Sequence, residues 1–292
     1  MKVLVAGATG TVGAHVVRAL LERGVAVRAF VRDRDRAAHM LGEDVELAVG
    51  DFADRASLER ALRGTQRLFL ACANAPAQVE HECAAIDAAA AAGLERVVKL
   101  SGPAPAIDSP LVFDHWHGQI EARLFNAGVE WVLLRPSAYM TNLMQHAETV
   151  RHMGKLFAPA GAAEISYIDP RDVGEAAAAT LADGDHDARA YALTGPEAIT
   201  FEQIARDLSL ALGRPIEYVD VPDDVARDGM CAAGLDPFVA DAIVALFRAQ
   251  RAGMMERTTD AVRSLTGCAP RSFSLFAHDH AALFGAGAPA LS

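Results

Sequence analysis

Three glycines spaced three apart, Gly7, Gly10 and Gly13, follow the apolar run Val3-Leu4-Val5-Ala6 and precede His15-Val16-Val17-Arg18-Ala19-Leu20-Leu21. Glycine there permits a tight turn and close backbone approach, and a helix that opens there presents unpaired N–H groups to an anion. With Thr9, Thr11 and Val12 between the glycines, GATGTVG is expected to hold a dinucleotide's pyrophosphate rather than only turn a strand into a helix. Arg32 stands at the end of the second apolar run, in Phe30-Val31-Arg32-Asp33-Arg34. An acidic side chain there would bind the 2′-hydroxyl of the adenosine ribose, whereas a guanidinium suits a 2′-phosphate, so the expected ligand is NADP(H). Asp33, one step later, should point elsewhere. Gly50-Asp51-Phe52 follows the third run, where a side chain can meet adenine, although Asp51 can equally cap the next helix. Ala73-Asn74-Ala75 follows the fourth, near where the nicotinamide-side ribose should lie.

A second set of residues could act on a substrate. His117 and Glu121 are four apart, share a helix face and can hydrogen-bond each other. In one reading His117 faces the nicotinamide and positions an acceptor while Glu121 orients its ring; in the other the pair decorates a surface helix. Ser101 is either a hydrogen-bond donor at the end of the fifth strand or a turn residue before Gly102-Pro103. Tyr139 can donate a proton, stack on an aromatic substrate or merely form a wall. Met140, Leu143, Met144, Met153, Phe157 and Trp116 suit an apolar pocket, and at helical spacing they suit plain core as well. No metal site is expected from Asp114, His115 and His117, because at ~100° per residue the two histidines point to nearly opposite sides of a helix.

The elements that must position these groups read as a doubly wound α/β fold with a parallel Rossmann sheet. β-branched runs at 2–6, 26–31, 45–49, 67–71, 96–100 and 131–134 alternate with helical patterns at 11–23, 53–62, 77–92 and about 111–126. After Arg135-Pro136 the rhythm breaks, then resumes with helical patterns at 170–181 and 200–212 and a mostly helical tail. The expected division is a nucleotide-binding domain at 1–136 and a smaller, mostly helical substrate-binding lobe at 137–292, partly interleaved with it. The chain of 292 residues is 52% hydrophobic, enough for a large core. A net charge of −11 opposes a nucleic-acid partner. The four scattered cysteines fit a reducing compartment. Neither a secretory signal nor a membrane span is expected, so the protein is placed in the cytoplasm, with a homodimer left open.

The helix after the fifth strand reads Phe113-Asp-His-Trp-His117-Gly-Gln-Ile-Glu121. It lacks the Tyr-x-x-x-Lys pair with which short-chain dehydrogenases protonate an alkoxide, and Phe113 cannot donate a proton. That argues against ordinary alcohol and ketone chemistry. Taken with GATGTVG, Arg32, Gly50-Asp51, Val98-Lys99-Leu100-Ser101, Leu134-Arg135-Pro136, Tyr139-x-x-Asn142, Tyr167-Ile168-Asp169-x-x-Asp172-Val173 and Leu212-Gly213-Arg214-Pro215, the chain resembles the NmrA-like atypical short-chain dehydrogenases/reductases. It is similar in particular to the NADPH:quinone and triphenylmethane-dye reductases. The resemblance implies a two-lobed Rossmann protein that binds NADP(H). It implies either a reductase that passes hydride to a quinone-like or polycyclic aromatic acceptor, or a non-catalytic redox sensor that binds a protein partner. Because HxxxE resembles the reductases and several other members carry lysine at the position of His117, the enzyme is the favoured branch.

Overall fold

The computed structural model describes residues 1–184 and 186–285; residues 286–292 of the expected second lobe lie outside the described residues. The elements run β1 (Lys2–Ala6), α1 (Gly13–Glu22), β2 (Ala26–Val31), α2 (Arg34–Leu41), β3 (Glu46–Val49), α3 (Arg55–Leu62), β4 (Arg67–Leu70), α4 (Gln78–Ala91), β5 (Arg96–Leu100), α5 (Val112–Phe125) and β6 (Glu130–Pro136). A 3₁₀ turn at Met140–His146 follows, then α6 (Ala147–Met153), β7 (Lys155–Ala158), α7 (Pro170–Ala182), β8 (Arg189–Leu193), α8 (Phe201–Leu212) and β9 (Glu217–Asp220). The chain continues with α9 (Asp223–Ala232), α10 (Pro237–Arg251), α11 (Ala261–Thr266) and α12 (Phe273–Asp279).

Among the described residues two compact units result, one of residues 1–136, 170–193 and 261–268, the other of 137–169, 194–260 and 269–285. The first is a seven-stranded sheet in the order β3-β2-β1-β4-β5-β6-β8. Every pairing in it is parallel. Six strands stand where the apolar runs predict them. The seventh, β8, comes from beyond the break in rhythm, and its largely exposed pattern carries too little alternation to be recognised from sequence. The order reverses between β1 and β4, the switch point at which such sheets bind ligands beyond their carboxyl ends. Parallel pairing puts the segments after β1, β2, β3, β4 and β5 at that one edge, which is why candidates scattered over ~100 residues of sequence share it.

Apolar side chains from β1, β2, β4, β5, α3, α4 and α5 form one core of this unit, among them Leu4, Phe30, Leu58, Leu68, Ile86, Val97 and Ile120. On α1, Val16, Val17, Ala19 and Leu20 make the buried stripe. The alanines 176–179 of α7 are buried too, and the two helices approach so closely at Gly174 that a Cβ there would come 2.5 Å from that of His15. Helix α7 ends on two arginines of the sheet. Arg96, 1% exposed, donates to the carbonyls of Thr180, Asp183 and Gly184 and pairs with Glu130 at 3.1 Å. Arg67 donates to Leu181 and Asp183. These guanidiniums satisfy the carbonyls that a helix C-terminus leaves unpaired.

The second unit has its own core, built on Met140, Leu143, Val150, Leu156, Tyr167, Phe201, Leu208, Phe273 and Phe276. It carries a two-stranded parallel sheet of β7 and β9. Helix α8 opens on a capping box in which Thr200 and Gln203 satisfy each other's backbone N–H. Met140 and Leu143 are therefore core, whereas Met153 is exposed. Among the described residues no helix is long and apolar enough to cross a membrane.

Candidate functional site

The glycine segment divides into a buried base and an open rim. Gly7 has φ +83°, and a Cβ on it would lie 2.4 Å from the carbonyl oxygen of Ala71, just beyond β4. At Gly13 a Cβ would come within 2.0 Å of the Gly7 oxygen and 2.7 Å of its carbonyl carbon, so this glycine lets α1 start against the turn. Gly10 differs: a Cβ there would meet only the Gly7 oxygen, at 3.2 Å, and the residue is exposed with Thr11 while Thr9 is half-buried. Two of the glycines thus satisfy the protein's own packing, and Gly10 keeps open a space that the protein does not fill. Val12, the N-cap of α1, supplies no side-chain cap, and no acidic residue stands in the first turn. Among the described residues the Ala14 N–H turns to the Gly10 carbonyl and the His15 N–H to that of Val12, which leaves the Gly13 N–H and the positive end of α1 for an anion. This cradle fits a dinucleotide pyrophosphate.

Arg32, past the end of β2, is exposed and makes no hydrogen bond or ion pair among the described residues. Its charge is felt at the Cys72 thiol beyond β4. Asp33 does turn away, because its carboxylate accepts the Arg36 N–H at 3.0 Å and caps α2. Asp51 accepts from the Ala53 N–H at 2.9 Å in a local turn, and the cap of α3 is Asp54. Phe52 stands edge-on to Phe30 at 5.7 Å and stacked over His81 at 6.2 Å, packed on the core. Ala73 and Asn74 are exposed in the loop after β4.

At the carboxyl end of β5 the structure gathers two buried polar groups side by side. In the first, Ser101 Oγ donates to Glu121 Oε1 at 2.6 Å, and Arg135 holds the same carboxylate with Nε at 3.1 Å and Nη2 at 2.5 Å. Ser101 and Glu121 are thus brought together. The expected orientation of the His117 ring by Glu121 is corrected by this geometry: a fork from Arg135 offers the carboxylate two parallel, charge-assisted bonds, stronger than one from an imidazole. Nor do His117 and Glu121 decorate a surface, being only 8% and 3% exposed.

In the second group His117 turns its Nδ1 to Lys99 Nζ, 3.3 Å away. Lys99 is wholly buried and lies 2.6 Å from Glu82 Oε2, itself wholly buried on α4. Glu82 Oε1 accepts from the backbone N–H of Cys72 at 3.0 Å and from Gln78 Nε2 at 3.4 Å. Burial, with the nearby Lys99 charge, lowers the His117 pKa well below the ordinary imidazole value, so the ring is neutral. Burial raises the Glu82 pKa, and Lys99 works against that rise. Asp114 lies across Gly102 from His117 and is raised by burial as well. His115 bonds instead to the Ile107 carbonyl and to Gln119, on another side of α5. Glu82 and Lys99 were not among the residues expected here. The readable signal was a lysine inside Arg96-Val-Val-Lys99-Leu, a run apolar enough to be a central strand, where an ammonium needs a partner.

Tyr139 belongs to the second unit, where its backbone bridges to Ile168. Burial raises its phenol well above the ordinary value, so it is a neutral donor and never a phenolate in the neutral pH range.

The NmrA-like family model matches residues 1–254. The chain belongs to the NmrA-like family. Among relatives it is 34% identical over 284 residues to the NAD(P)H azoreductase of Xenophilus azovorans, covering 97% of this chain and 99% of that one. It is 37% identical over 285 residues to the (4-alkanoyl-5-oxo-2,5-dihydrofuran-3-yl)methyl phosphate reductase of Streptomyces griseus, again over 97% and 99% of the two chains. Among solved structures, the NADPH-dependent quinone oxidoreductase QOR2 of Escherichia coli complexed with NADPH superposes with a TM-score of 0.87 at 24% identity, over 95% of this chain and 99% of that one. At that identity the likeness is one of fold. It agrees with the Rossmann sheet of this NmrA-like chain.

Proposed function

We propose that this chain is an NADPH-dependent reductase that passes hydride to a conjugated acceptor, of quinone, azo or unsaturated-carbonyl type. One observation carries the proposal. At the edge that bears the phosphate cradle, the buried polar groups at the end of β5 include a neutral imidazole from α5, with no phenol–lysine pair on that helix. An aliphatic ketone needs a proton as its alkoxide forms, whereas a conjugated acceptor spreads the charge and needs only to be held and hydrogen-bonded. The names of the relatives support the same class, since an azo group and an unsaturated oxo-dihydrofuran are both conjugated.

Gly7, Thr9, Gly10, Thr11, Val12 and Gly13 would hold the pyrophosphate, and Arg32 the 2′-phosphate. Asp51, Phe52, Ala73, Asn74 and Ser101 would line the nucleosides. Bound NADPH supplies the hydride. His117 would offer a hydrogen bond to the acceptor, and Ser101, Glu121 and Arg135 would keep the β5 end rigid beside it. Tyr139, a buried neutral phenol, would be the donor residue of the second unit. The four cysteines, none in a disulfide, suit work in the cytoplasm.

The test is NADPH oxidation, with the transferred hydrogen traced from C4-deuterated NADPH, offered a naphthoquinone, an azo dye and an aliphatic ketone in turn. Turnover with one of the first two and not with the ketone is the expected result. Tight NADPH binding without turnover on any conjugated acceptor would replace the reductase by a nucleotide sensor.

A further inference from the structure

We propose that Lys99, anchored by Glu82, is a positioning residue that fixes His117 as the neutral imidazole protonated on Nε2. An ammonium has three donors and no acceptor. Lys99 Nζ hydrogen-bonds the carbonyl of Leu100 and His117 Nδ1, the latter at 3.3 Å, and forms an ion pair with Glu82 Oε2 at 2.6 Å. Since Lys99 can only donate, Nδ1 must present its lone pair, and the ring proton of a neutral imidazole then sits on Nε2. Nε2 makes no hydrogen bond among the described residues, and the ring keeps 8% exposure. His117 therefore has one free donor and no free base.

The arrangement holds its charge state. Glu82 sits on α4 behind Lys99, and its remaining oxygen is occupied by the Cys72 N–H and Gln78. The other charged groups around His117 are Asp114 and Glu121 on α5 and Arg135 on β6. Asp114 accepts from the Ala104 N–H at 3.4 Å, and Glu121 is held by Arg135. Burial is the main obstacle to protonation of the imidazole, and the Lys99 ammonium 3.3 Å away adds to it. On the reading that His117 meets the acceptor, an Nε2–H donor stabilises negative charge as it develops on an acceptor oxygen or nitrogen and does so equally across the neutral pH range.

The test uses protein labelled with ¹⁵N-histidine. Long-range ¹H–¹⁵N spectra, with the His117 signals assigned from His117→Gln, are followed from about pH 5.5 to about pH 8.5, a span bracketing an ordinary imidazole pKa. The unmodified protein should show only the Nε2–H tautomer, with no titration. In the double variant Glu82→Gln/Lys99→Met, which removes both buried charges together, a mixture of tautomers should appear. In that variant kcat with a quinone should fall, because part of the His117 population loses its Nε2–H donor. An Nδ1–H tautomer or an imidazolium in the unmodified protein overturns the assignment, and so does an unchanged pure Nε2–H tautomer in the double variant. The unmodified protein decides the first two outcomes even where the variant fails to fold. If the spectra come out as expected but His117→Gln reduces quinone as fast as the unmodified protein, the acceptor contact fails and the tautomer assignment stands.

Discussion

Adding one methyl group at Gly10 or at Gly13 should separate ligand binding from folding, because the two glycines face different things. At Gly10 the added Cβ meets one atom, the Gly7 oxygen at 3.2 Å, and the backbone lies outside the positive-φ region. Replacing glycine by alanine at a compatible position gains ~0.4–1 kcal/mol through the unfolded chain, which offsets that single tight contact. The free protein should therefore melt within a few degrees of its original temperature. The same methyl stands in the open cradle and should weaken NADPH at least tenfold, ~1.4 kcal/mol. At Gly13 the Cβ would lie 2.0 Å from the Gly7 oxygen, 2.7 Å from its carbon and 3.0 Å from the Ala8 Cα, all backbone atoms. Relief requires α1 and the turn to part by roughly 1 Å, an overpacking strain of ~1–3 kcal/mol that lowers Tm by roughly 2–12 °C. The assays are thermal unfolding of the free proteins and fluorescence titration with NADPH. Full NADPH affinity in Gly10→Ala would show that the loop is only a turn, and an unchanged Tm in Gly13→Ala would refute the packing argument.

The unmodified protein should bind NADPH at least tenfold tighter than NADH, and Arg32→Asp should erase that preference; equal affinities before the change would remove Arg32 from the site. Lys99→Met alone should destabilise by ~3–5 kcal/mol in urea unfolding, since it strands the buried Glu82 charge, while Glu82→Gln/Lys99→Met should recover most of the loss; additive losses would contradict the ion pair. His146, whose pKa burial lowers to about 4, binds no proton in the folded chain where the unfolded chain already does. Stability held by this group is therefore present above about pH 6.5 and lost as pH falls toward 4, at ~1.4 kcal/mol per pH unit, and His146→Gln should flatten that slope. Tyr139→Phe should raise KM for a quinone and leave NADPH affinity unchanged; weaker NADPH binding would contradict its assignment to the acceptor.

Much of the nucleotide unit was legible in the chain because its signals are local. Six of the seven sheet strands are continuous apolar runs, the glycines announce the turn after β1, and a parallel sheet allows few orders of such strands. The cap formed by Asp33 on α2 and the turn at Asp51 are likewise decided by neighbours two or three residues away. What only the tertiary structure decided is what depends on partners far along the chain. Strand β8, weakly patterned, is recruited by pairing with β6, and the carbonyls that end α7 are satisfied by Arg67 and Arg96 from the sheet. The spacing of His117 and Glu121 suggested a pair, because four residues make one helical turn. Packing broke it: α5 lies against β5 and β6, so Glu121 meets Ser101 and Arg135, while His117 meets Lys99, 18 residues away, whose charge is kept by Glu82 on α4. A buried charge takes the strongest partner that the fold brings within reach, and sequence spacing does not show which one that is.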